Sequence, residues 1–172
     1  MIRAVLAVLL ATALVATSTT AMDRAARARG DRLAESTSDQ LVAEMMDLTR
    51  TEPGLARVHE AARRVVDVAV PDAGVATATV EYVAIGGVPG DHVENDTRHR
   101  DVVAYKLAGS PPEVQWVPVD VRVPADGPHR SNIPSRVPLA NDDEPLVVEE
   151  PATLVLRLLS RDGRSVVLAS RR

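Results

Sequence analysis

The chain reads as an α+β protein. An N-terminal apolar helix, a transmembrane or signal segment, continues into a polar helix, and an antiparallel β-sandwich-like domain follows. Three observations predict this. Nineteen uncharged residues in a row, Ala4 to Met22, open the chain. From Asp23 to Arg50 apolar residues recur at helical spacing. Beyond Arg63 the period drops to two, and turn residues punctuate the chain at regular intervals. The expected organisation is an anchor or signal segment over 1–22, an amphipathic helical stalk over 23–54 and a β-rich domain over 55–172.

The opening segment would be about 28 Å long as a helix, close to the ~30 Å hydrocarbon core of a bilayer. One reading is a cleaved secretory signal: Met1-Ile2-Arg3 is short and positive, Ala4–Ala16 is apolar, and Thr19-Thr20-Ala21 offers small residues for cleavage. A second is an uncleaved anchor. A third is a pilin-like segment cut near Arg3-Ala4 and then retained. Burial inside a soluble protein is the fourth, and a charge-free terminal run of this length argues against it. Arg24, Arg27, Arg29 and Arg32 follow the segment and only Arg3 precedes it, which by the positive-inside rule would hold the C-terminal side in the cytoplasm. The small-residue boundary suits export, and the expected location is the cell membrane with the domain on the extracytoplasmic side.

In the next segment Ala34, Leu41, Met45 and Leu48 share one helical face, widened by Val42 and Met46. The stripe serves either helix–helix assembly or docking onto the chain's own β domain. Gly30 and Ser36-Thr37-Ser38 weaken the helix, which allows a kink there or a second helix capped by Ser36; if the apolar run is retained, one nearly continuous helix would leave the membrane as a stalk. Pro53-Gly54 ends the helical region. Residues 55–70 fit both a helical stripe and a strand in which Val66, Val68 and Val70 alternate. Strands are expected at Ala76–Ile85, Val102–Leu107 and Glu113–Val123, the last with Val117, Val119, Val121 and Val123 on one face. Pro118 marks that strand as an edge or a bulge. Residues 124–145 read as a loop holding at most a short strand at Arg136–Leu139, and Leu146–Val148 reads as another strand. Thr153–Arg161 and Arg164–Ser170 flank Asp162-Gly163, a strong hairpin signal.

Composition narrows the function classes. The core must be aliphatic, because Phe is absent and Trp116, Tyr82 and Tyr105 are the only aromatic residues. There is no Cys, and Lys106 is the sole lysine. The net charge of −4 argues against nucleic acid as a partner, since that needs a basic face. Acid in excess, arginine in place of lysine, and abundant Ala and Val resemble the proteins of salt-loving archaea.

No chemistry emerges from the polar residues. His92 and His99, within the acidic run Asp91–Asp101, match no metal-ligand spacing, and Asn141–Glu144 lacks the spaced ligands of a calcium loop. No nucleophile elbow is present, and His59 and His129 have no evident partners. Gly86-Gly87 lacks the following helix of a phosphate cradle. Trp116 is expected in the core. Asn95-Asp96-Thr97 is a glycosylation sequon, which makes Asn95 the single candidate modification site. No catalytic residue, cofactor or metal is assigned.

An apolar N-terminal helix, a polar helical continuation and a C-terminal β domain resemble the layout of type IV pilins and pseudopilins. Arg3-Ala4 before Val5 is similar to a prepilin-peptidase site, and Leu9 stands where that family carries an acid early in the mature helix. The opening Met1–Ala16 and the closing Leu154–Ser170 hairpin also resemble small membrane-anchored haloarchaeal proteins of uncharacterised activity, some encoded with secretion or pilus ATPases. The resemblance implies a non-catalytic, membrane-anchored accessory or structural subunit of a pilus-like or secretion-type surface assembly. Its partners would be membrane lipid through Ala4–Met22 and other membrane or surface proteins. The alternatives are a secreted or anchored β-sandwich that binds a ligand, and an extracytoplasmic enzyme.

Overall fold

A computed structural model describes residues 2–71, 78–90, 101–124 and 145–172; of the side chains in 2–20, it describes those of Leu6, Leu10, Thr12 and Ser18. One α-helix, α1 (Ile2–Thr51), is followed by eight strands: β1 (Arg63–Val68), β2 (Val80–Ile85), β3 (Val102–Leu107), β4 (Glu113–Trp116), β5 (Asp120–Arg122), β6 (Leu146–Val148), β7 (Ala152–Arg161) and β8 (Arg164–Arg171). They form two four-stranded sheets, ordered β1-β7-β8-β5 and β4-β3-β2-β6. The fold is α+β with a sandwich-like pair of sheets. Among the described residues, no helix is long and apolar enough to cross a membrane.

The helix runs without a break for 50 residues, about 75 Å at 1.5 Å per residue. Neither Gly30 nor the Ser36-Thr37-Ser38 run interrupts it, so of the kink, the second start and the nearly continuous helix it is the last that is observed. The hydroxyls are spent without opening the helix. Thr37 Oγ1 donates to the Leu33 carbonyl one turn back (2.9 Å), and Ser38 Oγ donates to Gln115 Oε1 on β4 (2.8 Å). Hydroxyls satisfied in this way do not compete for the backbone.

Ala34, Leu41, Met45 and Leu48 are fully buried and belong to one cluster with residues of both sheets. The stripe therefore docks on the chain's own strands, and of the two uses open to it this is the one observed. The helix meets β3 and β2 in one sheet and β1, β7 and β8 in the other. Burying each large side chain of such a stripe stabilises the fold by roughly 1.5–3 kcal/mol. Polar contacts fix the position of the helix: Tyr105 Oη donates to Asp31 Oδ1 (3.1 Å), Gln115 Nε2 to Asp39 Oδ1 (2.9 Å), and Arg64 Nη2 to Asp47 Oδ2 (2.6 Å).

Gly30 permits the closest approach. The Ala78 N–H donates to the Ala26 carbonyl (3.0 Å), so backbone touches backbone where α1 meets the start of β2. A Cβ on Gly30 would lie 2.9 Å from the Ala78 carbonyl oxygen and 3.0 Å from Leu107 Cδ2. At the other end of the helix, Gly54 lets the chain pass over Leu159, and Leu55 bridges that residue in parallel. Residues 55–62 then form turns rather than a helical stripe, and strand periodicity takes over at Arg63. Val66 and Val68 are buried while Val65 is exposed.

The hairpin β7–β8 matches its expected position. Its two-residue loop has positive φ at Asp162 (50°) and Gly163 (76°), the type I′ geometry whose twist suits paired strands. Strand β2 starts at Val80, later than expected, with a register irregularity between Val80 and Tyr82. Residues 76–77 of the expected strand, and the short strand at Arg136–Leu139, lie outside the described residues.

The expected strand Glu113–Val123 divides. Pro118 has no N–H for a ladder, and the chain leaves one sheet there and enters the other. Strand β4 pairs with β3, whereas β5 pairs in parallel with β8, so the β1-β7-β8-β5 sheet is mixed rather than wholly antiparallel. The burial pattern holds across the break: Val117, Val121 and Val123 are core residues, and Val119 packs against them. Trp116 is a correction. It is 54% exposed, because β4 is an edge strand and this residue lies on the face away from Gln115, whose amide reaches the helix.

The Gly30 contact yields a test. Alanine at position 30 should gain about 1 kcal/mol of helix propensity. Gly30→Ala should nevertheless lower the urea midpoint, and Gly30→Val should lower it further, in the range of about 1–3 kcal/mol that overpacking costs. A Gly30→Ala protein more stable than its parent would show that the close approach is dispensable.

Candidate functional site

Two clefts and one exposed strand face are the candidates among the described residues. The first cleft lies between α1 and the turn joining β3 to β4. Arg27, Ala28 and Asp31 line its helix side, and Tyr105, Leu107, Ser110, Pro111 and Glu113 line the other. The Tyr105 hydroxyl is held well above its ordinary titration range. Burial is the main cause, followed by the hydrogen bond to Asp31 and the negative charges of Asp31, Glu113 and Glu35. The hydroxyl is therefore a fixed proton donor that ties β3 to the helix, and it is not poised as a general base.

The second cleft surrounds the corner where the chain changes sheets, lined by Asp101, Pro118, Val119, Asp120, Arg122, Arg164 and Ser165. Asp101 accepts the Val117 N–H with its carbonyl (2.7 Å) and the Val121 N–H with its carboxylate (2.9 Å). The two bonds fall on either side of Pro118, so this acid clamps the corner. Arg122 Nε pairs with Asp120 Oδ1 at 2.5 Å. The cleft is polar, and its acids and bases largely answer one another.

The exposed face belongs to β4, where Val114 (41% exposed) and Trp116 point outward beside each other on an edge strand. Strands of this kind offer backbone groups and apolar side chains to a partner. Elsewhere Arg157 stands across from Arg63 in the β1–β7 pair, and one of its guanidinium nitrogens donates to the Val58 carbonyl (3.1 Å). Burial, and then the charge of Arg63, weaken its hold on the proton.

Asn95 lies outside the described residues, as do His92, His99, His129 and Asn141–Glu144. Of the acidic run 91–101 only Asp101 is described, and its described bonds hold backbone. His59 is exposed next to Glu60 (3.5 Å) in the turn segment, with no nucleophile joined to it by a described bond. Gly86 and Gly87 follow β2, and the described residues after them, 88–90, hold no helix. Among the described residues, no group of three or more His, Cys, Asp or Glu is placed to hold a metal ion. The Asp101 clamp and the Tyr105–Asp31 bond were not visible in the sequence, because their partners are set by tertiary packing.

Two outcomes follow. Asp101→Ala should destabilise the protein by about 1–3 kcal/mol in denaturant unfolding, the cost of leaving a buried donor unpaired; an unchanged midpoint would remove its role as a clamp. Tyr105 binds its proton more tightly folded than unfolded, so its contribution is complete below about pH 10, the ordinary tyrosine value, and falls as pH rises above it. Tyr105→Phe should flatten the alkaline loss of stability and remove the tyrosinate absorbance that appears only on unfolding.

No curated protein and no solved structure matches the chain. A family model described as a domain of unknown function, DUF7311, matches residues 1–172. The match spans the helix and both sheets, and the chain belongs to the DUF7311 family.

Proposed function

We propose that this protein is a non-catalytic, membrane-anchored accessory or structural subunit of a pilus-like or secretion-type cell-surface assembly. Lipid around Ala4–Met22 holds it, and its β domain lies on the extracytoplasmic side in contact with other membrane or surface proteins. The observation that carries this reading is the single helix. Its first described contact with the strands is at Ala26, so the uncharged run precedes the domain, while later turns of the same helix belong to the core. Leu6 and Leu10, one turn apart in the run, are both exposed, as an apolar segment needs to be for lipid or neighbouring helices to receive it. The outward Val114 and Trp116 on β4 supply an apolar surface for protein contact. The acid-rich, lysine-poor composition supports a salt-adapted archaeal setting of the kind in the resembling proteins.

A ligand-binding module is the second reading, favoured by the charged corner cleft with Asp101, Asp120, Arg122 and Arg164. That role needs no assembly partner, and the two readings separate experimentally.

The full-length chain should float with membranes in a density gradient and resist a carbonate wash. Leu6→Arg combined with Leu10→Arg should release it. A photocrosslinker replacing Trp116 should capture another membrane or surface protein. Full-length, unprocessed chain recovered freely soluble from the cytosol would overturn the anchoring, and a monomer that binds a small ligand at the corner cleft would favour the second reading.

A further inference from the structure

We infer that the end of the β domain around Arg27 is a docking surface for an anionic bilayer, so that the domain rests on the headgroups of the membrane that holds its helix. This inference rests on the anchoring proposed above. Charge returns to the helix at Asp23, and the domain begins to pack against it at Ala26. An unbroken helix joins the two, so no flexible linker can carry the domain away from the surface. From Met22 to Arg27 is five residues, about 7.5 Å along the axis. Each headgroup layer is roughly 5–7 Å thick, the difference between the whole bilayer and its hydrocarbon core shared between two sides. Arg24 and Arg27, both exposed, therefore lie within or at the edge of the headgroups, and Arg29 and Arg32, also exposed, follow about 3 and 7.5 Å further along the axis.

The strands bring a second element to the same level. Leu107 packs at Gly30 and Tyr105 bonds Asp31, so β3 runs toward the helix's N-terminal side, and its turn faces the membrane. That turn, Ala108-Gly109-Ser110-Pro111-Pro112, carries no charge, and Ser110 and Pro111 share a cleft with Arg27. The acids nearby are Asp23, Asp31, Glu35 and Glu113. The Asp31 carboxylate is engaged with Tyr105 on the domain side, while the four arginines are exposed. Arginines at this depth favour anionic over neutral lipid.

The chain has no cysteine, so single labels can be placed at will. The full-length protein carrying Ser110→Cys, labelled with a fluorophore, is reconstituted into phosphatidylcholine vesicles with and without phosphatidylglycerol. A headgroup-linked nitroxide lipid serves as quencher. Ala56→Cys, just past the far end of the helix and about 36 Å further along the axis, is the distal control. The label at 110 should lose most of its fluorescence, more so with phosphatidylglycerol, while the label at 56 keeps its own. Changing the four arginines to glutamine should reverse much of the quenching while flotation persists. Vesicles that float the protein but leave position 110 unquenched overturn the docking and leave the anchoring intact. Quenching indifferent to phosphatidylglycerol and to the glutamine substitutions overturns the anionic surface as the partner. Protein that fails to float overturns the anchoring and the docking together.

Discussion

The architecture depends on the burial of one helical stripe against two sheets. Ala34, Leu41, Met45 and Leu48 enter the same cluster as Val66 and Leu156 of one sheet and Ile85 and Tyr105 of the other. An aliphatic protein without phenylalanine has few large side chains with which to fill the space between sheets, and the helix supplies several of them. The approach at Gly30 sets how deeply it can settle. The Ala26–Ala78 backbone bond, the Tyr105–Asp31 bond and the Gln115 bridge to Ser38 and Asp39 then fix its rotation and register. A helix determined at so many points behaves as part of the domain from Ala26 onward.

The same logic explains how the polar residues within that interface are tolerated. Thr37 and Ser38 are buried, and each finds an acceptor, one in the preceding turn and one across on β4. Buried hydroxyls left unpaired would cost more than the packing around them returns. The corner between the sheets is handled in a similar way. Pro118 removes a ladder donor, the chain changes sheets, and Asp101 receives the N–H groups on both sides of the break. Strand β5 can then pair in parallel beside β8, an arrangement a simple meander would not produce.

Function, on this view, resides in surfaces. Polar residues that line the two clefts are already engaged: Asp101 holds backbone, Asp120 holds Arg122, and the Tyr105 proton is locked by burial and Asp31. Among the groups that project outward, beside many exposed acids, two sets stand out. Val114 and Trp116 stand on an edge strand, and four arginines circle the helix where it enters the domain. The DUF7311 family match covers the whole chain, helix and sheets alike.

The amino-acid sequence by itself determined the features with short-range causes. The helical stripe follows from spacings of three and four, β3 and β6 from compact apolar runs, and the β7–β8 hairpin from Asp162-Gly163, whose positive φ values the turn requires. The alternation of Val117, Val121 and Val123 even survived the break in their strand. Of the candidate surfaces, the arginine run after the apolar segment was legible, while the turn that joins it and the exposure of Trp116 were not. Tertiary structure alone decided what the stripe packs on, that Ser36–Ser38 leaves the helix intact, that Pro118 moves the chain between sheets, and that β5 runs parallel. Each depends on residues far apart in the chain, such as Ser38 with Gln115, 77 positions away, and Asp31 with Tyr105, 74 away. Local periodicity states which face of an element is apolar; only the closed core states what that face meets.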